Sequence, residues 1–263
     1  MLAQTERTIR MPKTYSAYVI CGTPRSGSTL ICEMLAATGV AGRPNSYFRQ
    51  QDIVYWADQW EVPHPDGTEN AAFDQTYLDA MRRVGSNGTE VFGLRIMWAS
   101  LADASRRLDR AYGGTASIEA RLEQAFGPIA FIHLSRGDKS AQAVSLLRAE
   151  QSGLWHLASD GSVLEGSAAP QPVRYDEQRL TAVFNDLESD DAAWNAFFAD
   201  RRIEPLPLTY ETVTANPRLA LADILRLLGQ DPAIADSIAV KTAKMGDATS
   251  REWAERLRTT IGR

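Results

Sequence analysis

The chain has 263 residues, which is long enough for one α/β domain, with or without a helical appendage. Its composition, 44% hydrophobic and 23% charged, is ordinary for a soluble globular protein. The net charge of −5 gives no reason to expect nucleic acid as a partner, so any anion site must be a local basic cluster. Two cysteines, Cys21 and Cys32, are too few for a disulfide framework or a zinc site, and we expect both to be buried and reduced.

The first 16 residues carry basic side chains but no apolar run of signal-peptide length. We therefore expect a flexible lead-in over residues 1–16 and a single α/β domain over residues 17–263. No later stretch approaches the roughly 20 apolar residues that a membrane span needs. These features predict a cytoplasmic protein without a transmembrane segment.

The first predicted unit is a strand, a small-residue loop and a helix. An apolar run ends at Cys21, the loop occupies residues 22–27, and helical spacing of apolar residues begins at Ser28. This order directs a helix N-terminus and its free N–H groups at an anion. Gly22 and Gly27 have the spacing of the phosphate loop G-x-x-x-x-G-K-[ST], but Ser28 stands where that motif has lysine.

The cation of this loop is Arg25, which offers a planar, permanently charged fork to oxyanions. The hydroxyls of Ser26, Ser28 and Thr29 follow it into the helix. The loop therefore suits a phosphate-like group without a magnesium–triphosphate clamp, and we expect no metal. Two other interpretations stay open: an ordinary βα turn, and a kinase or NTPase loop, which the missing lysine disfavours.

Residues 41–67 are rich in aromatic and polar side chains, including Tyr47, Phe48 and His64. Sugar sites use such mixtures, because rings stack on the C–H faces of a sugar while polar groups bind its hydroxyls. For any single ring, packing of a helix on the sheet is the favoured alternative. For the whole segment, its position directly after the anion loop favours one wall of a substrate site.

The middle of the chain alternates helices and strands, as expected for a parallel sheet. The pattern predicts a helix over 73–83, a buried strand over 91–98 and helices over 100–110 and 117–125. Arg95, inside that buried strand, must find an anionic partner or an open strand end.

Residues 128–145 repeat the opening pattern of buried strand, polar turn and helix. Arg136 follows the strand at its carboxyl end, where open α/β sheets bind their ligands, and Ser145 lies about two turns into the helix. Asp138 is suited to cap that helix. His133, inside the strand, is predicted to be a core histidine satisfied by hydrogen bonds.

The remaining pattern predicts, in order, a loop or flap over 160–172, helix over 176–201, a short strand over 207–211 and an amphipathic helix over 217–228. The tail, residues 241–263, is basic. It either closes over a nucleotide or forms a solvated, charged helix, and both interpretations stay open.

Three separated stretches resemble one family, the sulfotransferases. Residues 24–29 resemble the 5′-phosphosulfate loop of these enzymes, residues 133–145 resemble their 3′-phosphate segment, and residues 208–217 resemble a recurrent later segment. Over nearly the whole chain, the order and spacing are similar to the bacterial carbohydrate group that includes trehalose 2-sulfotransferases and lipopolysaccharide sulfotransferases.

The resemblance implies an α/β fold, a P-loop-containing three-layer αβα sandwich with a central, mainly parallel sheet. It implies in-line transfer of a sulfuryl group from 3′-phosphoadenosine-5′-phosphosulfate (PAPS) to a hydroxyl of a carbohydrate or glycolipid, with lipopolysaccharide among the candidates. It also suggests a homodimer. The donor-binding residues carried over are Arg25, Ser26, Gly27, Ser28 and Thr29 for the 5′-phosphate, and Arg136, Ser145 and Lys244 for the 3′-phosphate.

The sequence departs from the family pattern at the residue expected to act as the catalytic base. Residues 42–48 match a family run, Gly-x-Pro-x-Glu-Phe-Phe, but Ser46 replaces the glutamate. A serine can orient a hydroxyl but cannot take its proton unaided, so trehalose is not the expected acceptor and another base is needed. We nominate Asp52 or His64, and the alternative is a catalytically impaired nucleotide-binding relative. The candidate acceptor-binding residues are Ser46, Tyr47, Phe48, Arg95 and Trp98.

Overall fold

A computed structural model of the chain describes residues 14–157, 162–166, 169, 171–240 and 246–262. The strands are β1 (Ala17–Gly22), β2 (Phe92–Met97), β3 (Ile129–Ser135), β4 (Leu154–Leu157), β5 (Val163–Gly166) and β6 (Leu206–Thr209). Four of them form one parallel sheet in the order β2–β1–β3–β6. The other two, β4 and β5, form an antiparallel hairpin.

Helices separate the strands. They are α1 (Ser28–Ala37), α2 (Ile53–Gln59), α3 (Ala71–Ser86), α4 (Trp98–Tyr112), α5 (Ile118–Phe126), α6 (Lys139–Ser152), α7 (Glu177–Arg201), α8 (Tyr210–Ala215), α9 (Pro217–Leu227) and α10 (Ala248–Ile261). Short 3-10 turns cover Gln50–Asp52 and Pro232–Ser237. None of the helices described is both long and apolar enough to cross a membrane.

The central strand β1 is buried along its whole length because helices cover both faces of the sheet. Val19 and Cys21 pack into a cluster with α3, α4, α5 and α7, whereas Tyr18 and Ile20 pack into a second cluster with α1 and α9. This alternation confirms the predicted three-layer αβα architecture with a parallel sheet. Cys21 and Cys32 are buried and free, as predicted.

Successive strands are added to the sheet on opposite sides of β1, and this change of side determines where the site lies. After β1 the chain crosses to β2 on one side, then returns to β3 on the other. The loops that follow β1 and β3 therefore diverge at the carboxyl end of the sheet. That crevice is where open α/β sheets bind ligands.

The predicted helices and strands are confirmed to within a few residues, with one boundary wrong. Tyr210 and Glu211 were expected in the last strand, but β6 ends at Thr209 and they begin α8. Thr209 and Thr212 form a reciprocal capping box, which starts a helix at this point. The predicted flap over 160–172 overlaps the β4–β5 hairpin, although residues 158–161, 167, 168 and 170 lie outside the described residues.

His133 is not the hydrogen-bonded core histidine expected from the sequence. Its buried Nε2 has no hydrogen-bond partner among the residues that the structure describes. The ring instead packs on Phe198, with the ring centroids 5.2 Å apart. Burial lowers the pKa of His133, so the ring is neutral at physiological pH.

Within the basic C-terminal tail, Ala248–Ile261 form α10, which is charged on one side only. Trp253, Ala254 and Leu257 are buried against α6 and α7. Arg148 of α6 holds the start of α10 through two hydrogen bonds to the Asp247 carboxylate, at 2.5 and 2.9 Å. The helix is thus part of the packed structure. Residues 1–13, 241–245 and 263 are outside the described part of the chain, so most of the lead-in predicted over residues 1–16 stays a prediction, although Ser16 is hydrogen-bonded to Pro128 and Phe92.

Candidate active site

The loop between β1 and α1 has a strained backbone. Arg25 adopts a left-handed conformation with φ 62°, and Gly27, at the N-cap of α1, has φ 89°. A left-handed conformation costs a residue with a side chain roughly 1–2 kcal/mol, so the surrounding contacts must hold Arg25 in place. At Gly27, a Cβ atom would lie 3.1 Å from the ring of Tyr210.

Side chains of helices α6 and α7 hold this loop through hydrogen bonds. The Gln142 side-chain amide donates to Thr23 Oγ1 at 2.9 Å and to the Pro24 carbonyl at 2.7 Å. Trp194 Nε1 donates to the Gly22 carbonyl at 2.9 Å. Thr23 in turn donates to Asp191, which forms an ion pair with Lys139. The loop therefore rests on a buried polar frame supplied by two helices.

The side chain of Arg25 links the loop to α6 and to the β4–β5 hairpin. Its Nε donates to Ser145 Oγ at 3.0 Å, and its Nη1 donates to the Trp155 carbonyl at 2.5 Å. The two residues predicted to bind different phosphates of one nucleotide, Arg25 and Ser145, are thus in direct contact.

Arg136 lies beside the same loop. Its Nη1 donates to the Arg25 carbonyl at 3.1 Å, and its guanidinium stacks 4.1 Å from the centre of the Tyr210 ring. Its Nε is buried and has no hydrogen-bond partner in the described part of the chain. Burial lowers the pKa of Arg136, and the nearby Tyr210, Asp138 and Glu211 act against that shift. This is a partly desolvated cation with an unused donor, which suits an anion.

Hydrogen bonds fix the turn that carries Arg136. The Glu211 carboxylate accepts from the backbone N–H groups of Gly137 and Asp138 at 3.1 and 3.3 Å. Burial raises the pKa of Glu211, but these donors and Arg136 outweigh burial and lower the pKa overall. Asp138 caps α6 by accepting from the Ala141 N–H at 3.0 Å, as predicted.

Arg95 reaches the loop from β2. Its Nε donates to Ser46 Oγ at 2.8 Å, and its Nη1 donates to Thr29 Oγ1 at 3.1 Å and to Ser28 Oγ at 3.4 Å. Its Nη2 lies 3.4 Å from Asn45 Oδ1. Each of these partners is a neutral oxygen, so the guanidinium charge of Arg95 is available to an anion at the start of α1.

His156, which sequence reasoning missed, completes the arrangement. Its Nε2 lies 3.0 Å from Thr29 Oγ1 and 3.3 Å from Arg25 Nη1. Burial, and then the charges of Arg25 and Arg95, lower the pKa of His156 to about 3. The imidazole is therefore neutral at physiological pH. No local sequence pattern marks His156 as a site residue. The one sequence feature that could have pointed to it is its position just before the predicted flap.

The predicted acceptor-binding rings lie in the core. Tyr47 and Phe48 are each 1% exposed, and the Tyr47 hydroxyl donates to the Arg43 carbonyl at 2.6 Å. A sugar could reach their faces only if the core opened, so this role stays a prediction. Trp98 is partly buried against Trp194, with the ring centroids 5.1 Å apart. Ser46 is linked to Thr29 at the start of α1 through Arg95, which donates to both hydroxyls.

The predicted bases have other partners. Asp52 pairs with Arg49 at 3.2 Å, and His64 Nε2 lies 2.9 Å from Asp58 Oδ1. None of the hydrogen bonds and ion pairs found for these two side chains in the described residues reaches the loop after β1. Their catalytic role stays a prediction. Lys244 lies outside the described residues.

Together these contacts gather cations and hydroxyls around the N-terminus of α1. Arg25, Arg95 and Arg136 approach it from three elements of the fold, and Ser26 Oγ is buried without a partner among the described residues. Within the same residues there is no cluster of His, Cys, Asp or Glu that could hold a metal ion. Fold and site thus define an α/β protein whose cations and hydroxyls are suited to an anionic, phosphate-like group.

The chain belongs to the Stf0 sulphotransferase family, whose model matches residues 17–260. It is 28% identical to a trehalose 2-sulfotransferase of Mycobacterium tuberculosis, over 96% of this chain and 98% of that protein. It is 29% identical to a trehalose 2-sulfotransferase of Mycolicibacterium smegmatis, over 92% of this chain and 94% of that protein. The predicted family resemblance is confirmed.

Among solved structures, the chain is similar to the sulfotransferase domain from the Synechococcus PCC 7002 olefin synthase. The TM-score is 0.45 and the sequence identity 18%, over 93% of this chain and 95% of that one.

Proposed function

We propose that this protein transfers a sulfuryl group from PAPS to a hydroxyl of a carbohydrate or glycolipid. The observation that carries the proposal is the pair of cationic positions at the carboxyl ends of β1 and β3. Arg25 and Arg136 are joined there by a hydrogen bond of 3.1 Å from the side chain of one to the carbonyl of the other. A donor with phosphates at both its 5′ and 3′ positions needs two such positions close together.

The residues present fit this donor. Arg25, Ser26, Gly27, Ser28 and Thr29 would hold its 5′-phosphosulfate at the N-terminus of α1, and Arg136 and Ser145 would hold its 3′-phosphate. The buried Ser26 hydroxyl and Arg136 Nε, which lack partners among the described residues, supply donors of the kind that phosphate oxygens accept. Lys244 is a further candidate on sequence grounds alone.

The donor, when bound, supplies the sulfuryl group. Arg25 and the free N–H groups at the start of α1 would stabilise the negative charge that develops on the leaving phosphate oxygen. Preorganisation makes this effective, because the frame formed by Gln142 and Trp194 already holds the loop. Placing the acceptor hydroxyl in line would supply much of the remaining rate enhancement.

For the acceptor, the names of the two mycobacterial relatives support a carbohydrate. Ser46, whose hydroxyl accepts from Arg95, stands where the resemblance calls for a glutamate, so a sugar other than trehalose, such as one of a lipopolysaccharide, is our preferred acceptor. The bases Asp52 and His64, the cytoplasmic location and the homodimer stay sequence predictions.

Binding of adenosine 3′,5′-bisphosphate, measured by calorimetry, tests the donor assignment. Arg25→Ala and Arg136→Ala should each weaken binding by roughly 10- to 100-fold, since each removes charge-assisted hydrogen bonds to a phosphate. Arg106→Ala is the matched control, because it removes one positive charge from an exposed site on α4. Unchanged affinity in both site variants, or an equal loss in the control, would contradict the assignment.

A nucleotide-binding relative without transferase activity is the second candidate. It is favoured by one observation, that Ser46 is a neutral hydroxyl bound to Arg95 and not a carboxylate. This candidate predicts the same nucleotide binding but no sulfated product.

A further inference from the structure

Sulfuryl transfer to an alcohol releases a proton, and the site must provide a group that takes it. The side chains gathered at the loop are mostly unsuited to this. Arg25, Arg95 and Arg136 are permanent cations, and the hydroxyls of Ser46 and Thr29 are themselves weak acids. The histidine that contacts the loop differs from all of them, because its neutral ring carries a lone pair.

We propose that His156 is the catalytic base of this protein and that its Nε2 takes the proton of the acceptor hydroxyl. The inference rests on the proposed sulfotransferase function and deepens it by naming the group that activates the acceptor. It differs from the bases nominated from the sequence, Asp52 and His64.

Hydrogen bonding fixes the orientation of the His156 ring. Arg95 Nη1 donates to Thr29 Oγ1, which leaves the Thr29 hydroxyl hydrogen to donate to His156 Nε2 at 3.0 Å. Arg25 Nη1 also faces Nε2, at 3.3 Å, and a guanidinium can only donate. Nε2 is therefore the acceptor atom and Nδ1 carries the hydrogen. The basic lone pair is directed at the loop proposed to hold the donor.

Arg25 also fixes the strand on which His156 lies. The same Nη1 that faces the imidazole donates to the carbonyl of Trp155, one residue earlier in β4. At the start of β4, the Leu154 N–H donates to Ser152 Oγ at 3.1 Å, which ties the strand to the end of α6. These contacts hold β4, and with it the His156 imidazole, beside the loop.

The charges around His156 couple its basicity to the donor. Burial has the largest effect on the pKa of His156, and the charges of Arg25 from the loop and of Arg95 from β2 add to it by disfavouring the imidazolium. An anion bound between these two cations would offset them and raise the pKa of His156 towards the range useful for a base. The ring would accept a proton poorly in the free protein and better once the site is filled.

The proposed step balances as follows. The acceptor oxygen forms a bond to sulfur, and the bond between sulfur and the bridging oxygen breaks, with its electron pair going to the leaving phosphate. The acceptor hydroxyl replaces the Thr29 hydroxyl as the donor to His156 Nε2, and its proton passes to that nitrogen. The resulting imidazolium loses that proton to solvent before the next turnover.

The first test separates proton transfer from binding. His156→Gln should bind adenosine 3′,5′-bisphosphate within about threefold of wild type, because glutamine can still accept from Thr29. Release of nucleotide from PAPS, with water, trehalose and lipopolysaccharide as acceptors, should fall by about 100-fold or more. Equal release by wild type and His156→Gln would overturn the assignment, and loss in Asp52→Asn or His64→Gln alone would move the base to that residue.

Chemical rescue gives a readout that a structural role would not change. His156→Ala should regain nucleotide release when imidazole is added, and substituted imidazoles of higher pKa should rescue it better. Absence of rescue in a variant that still binds the bisphosphate would overturn the proposal.

A third readout needs no turnover. The chain has three histidines, and His156→Gln assigns the His156 imidazole signals in an NMR spectrum. Adding adenosine 3′,5′-bisphosphate should raise the pKa of His156 by about one unit or more. If the nucleotide binds without moving these signals, the proposed role of His156 is overturned, but the proposed function is not. A protein that does not bind the nucleotide overturns the proposed function as well.

Discussion

Arg25 combines strain, charge and long-range contact in one residue of the loop. Its left-handed backbone is held because its carbonyl accepts from Arg136 while its side chain donates to Ser145 and to β4. The same contacts preorganise its guanidinium beside the N-terminus of α1. Strain of this kind recurs at functional sites, where the surrounding structure compensates for it.

His156 makes the stability of the protein depend on pH. Its pKa is about 3 in the folded protein, against about 6.5 for an unperturbed histidine. Between these values the unfolded chain binds a proton that the folded protein does not, so the free energy of unfolding falls as the pH falls. His156→Gln removes this contribution.

Urea unfolding at several pH values checks this prediction. From about pH 7 to about pH 5, the free energy of unfolding of the wild type should decrease more steeply than that of His156→Gln. Equal slopes for the two proteins would contradict the buried, neutral state of His156.

Residues with a motif could be predicted from the sequence, whereas residues placed by the fold could not. Arg25 and Arg136 follow from local strand–turn–helix patterns and Ser145 from the family resemblance, and the structure brings all three to one loop. His156 meets Thr29 across 127 positions of the chain, through a hairpin that no local pattern encodes. For the aromatic segment the sequence left two interpretations open, because core packing and sugar binding use the same residue types, and the structure shows Tyr47 and Phe48 buried.

At the scale of the element, α7 acts as a support for the loop. Trp194 is 1% exposed, and its indole N–H donates to the carbonyl of Gly22, the last residue of β1. Trp194→Phe should lower the free energy of unfolding by roughly 1–3 kcal/mol, because the substitution removes a buried hydrogen bond. It should also weaken binding of adenosine 3′,5′-bisphosphate, since the loop loses part of its frame.

Phe198→Leu is the matched control for this prediction. Phe198 stacks on Trp194 in the same cluster, with the ring centroids 5.6 Å apart, so the control reduces packing without touching the loop hydrogen bond. It should lower the midpoint of urea unfolding and leave nucleotide affinity unchanged. Equal losses of affinity in the two variants would reject the supporting role of the indole N–H.

The boundary between β6 and α8 shows why the last strand was predicted too long. Apolar and aromatic residues continue past Thr209, but the capping box of Thr209 and Thr212 begins a helix there. As a result Tyr210 lies against both Arg136 and Gly27, and the Glu211 carboxylate reaches the turn after β3. The capping box has Thr212 where the usual sequence pattern has Glu or Gln, so neither it nor these contacts could be predicted from the sequence.

At the scale of the whole molecule, the parallel sheet creates the site. Strand ends and the helices that follow them bring together residues from β1, β2, β3 and α6, and the hairpin adds β4. An acidic chain with net charge −5 thereby gains a local cationic centre. The layers were predictable from hydrophobic alternation, but the convergence of three arginines on one helix N-terminus required the fold.

Incubation with sulfur-labelled PAPS and fractionated surface glycans of the source cell tests the central claim most directly. The account predicts that the label enters a carbohydrate-containing fraction, and that transfer is lost in Arg25→Ala but kept in Arg106→Ala. If the protein binds adenosine 3′,5′-bisphosphate but the label remains entirely in the donor, the claim is contradicted. The protein would then be a nucleotide-binding relative without transferase activity.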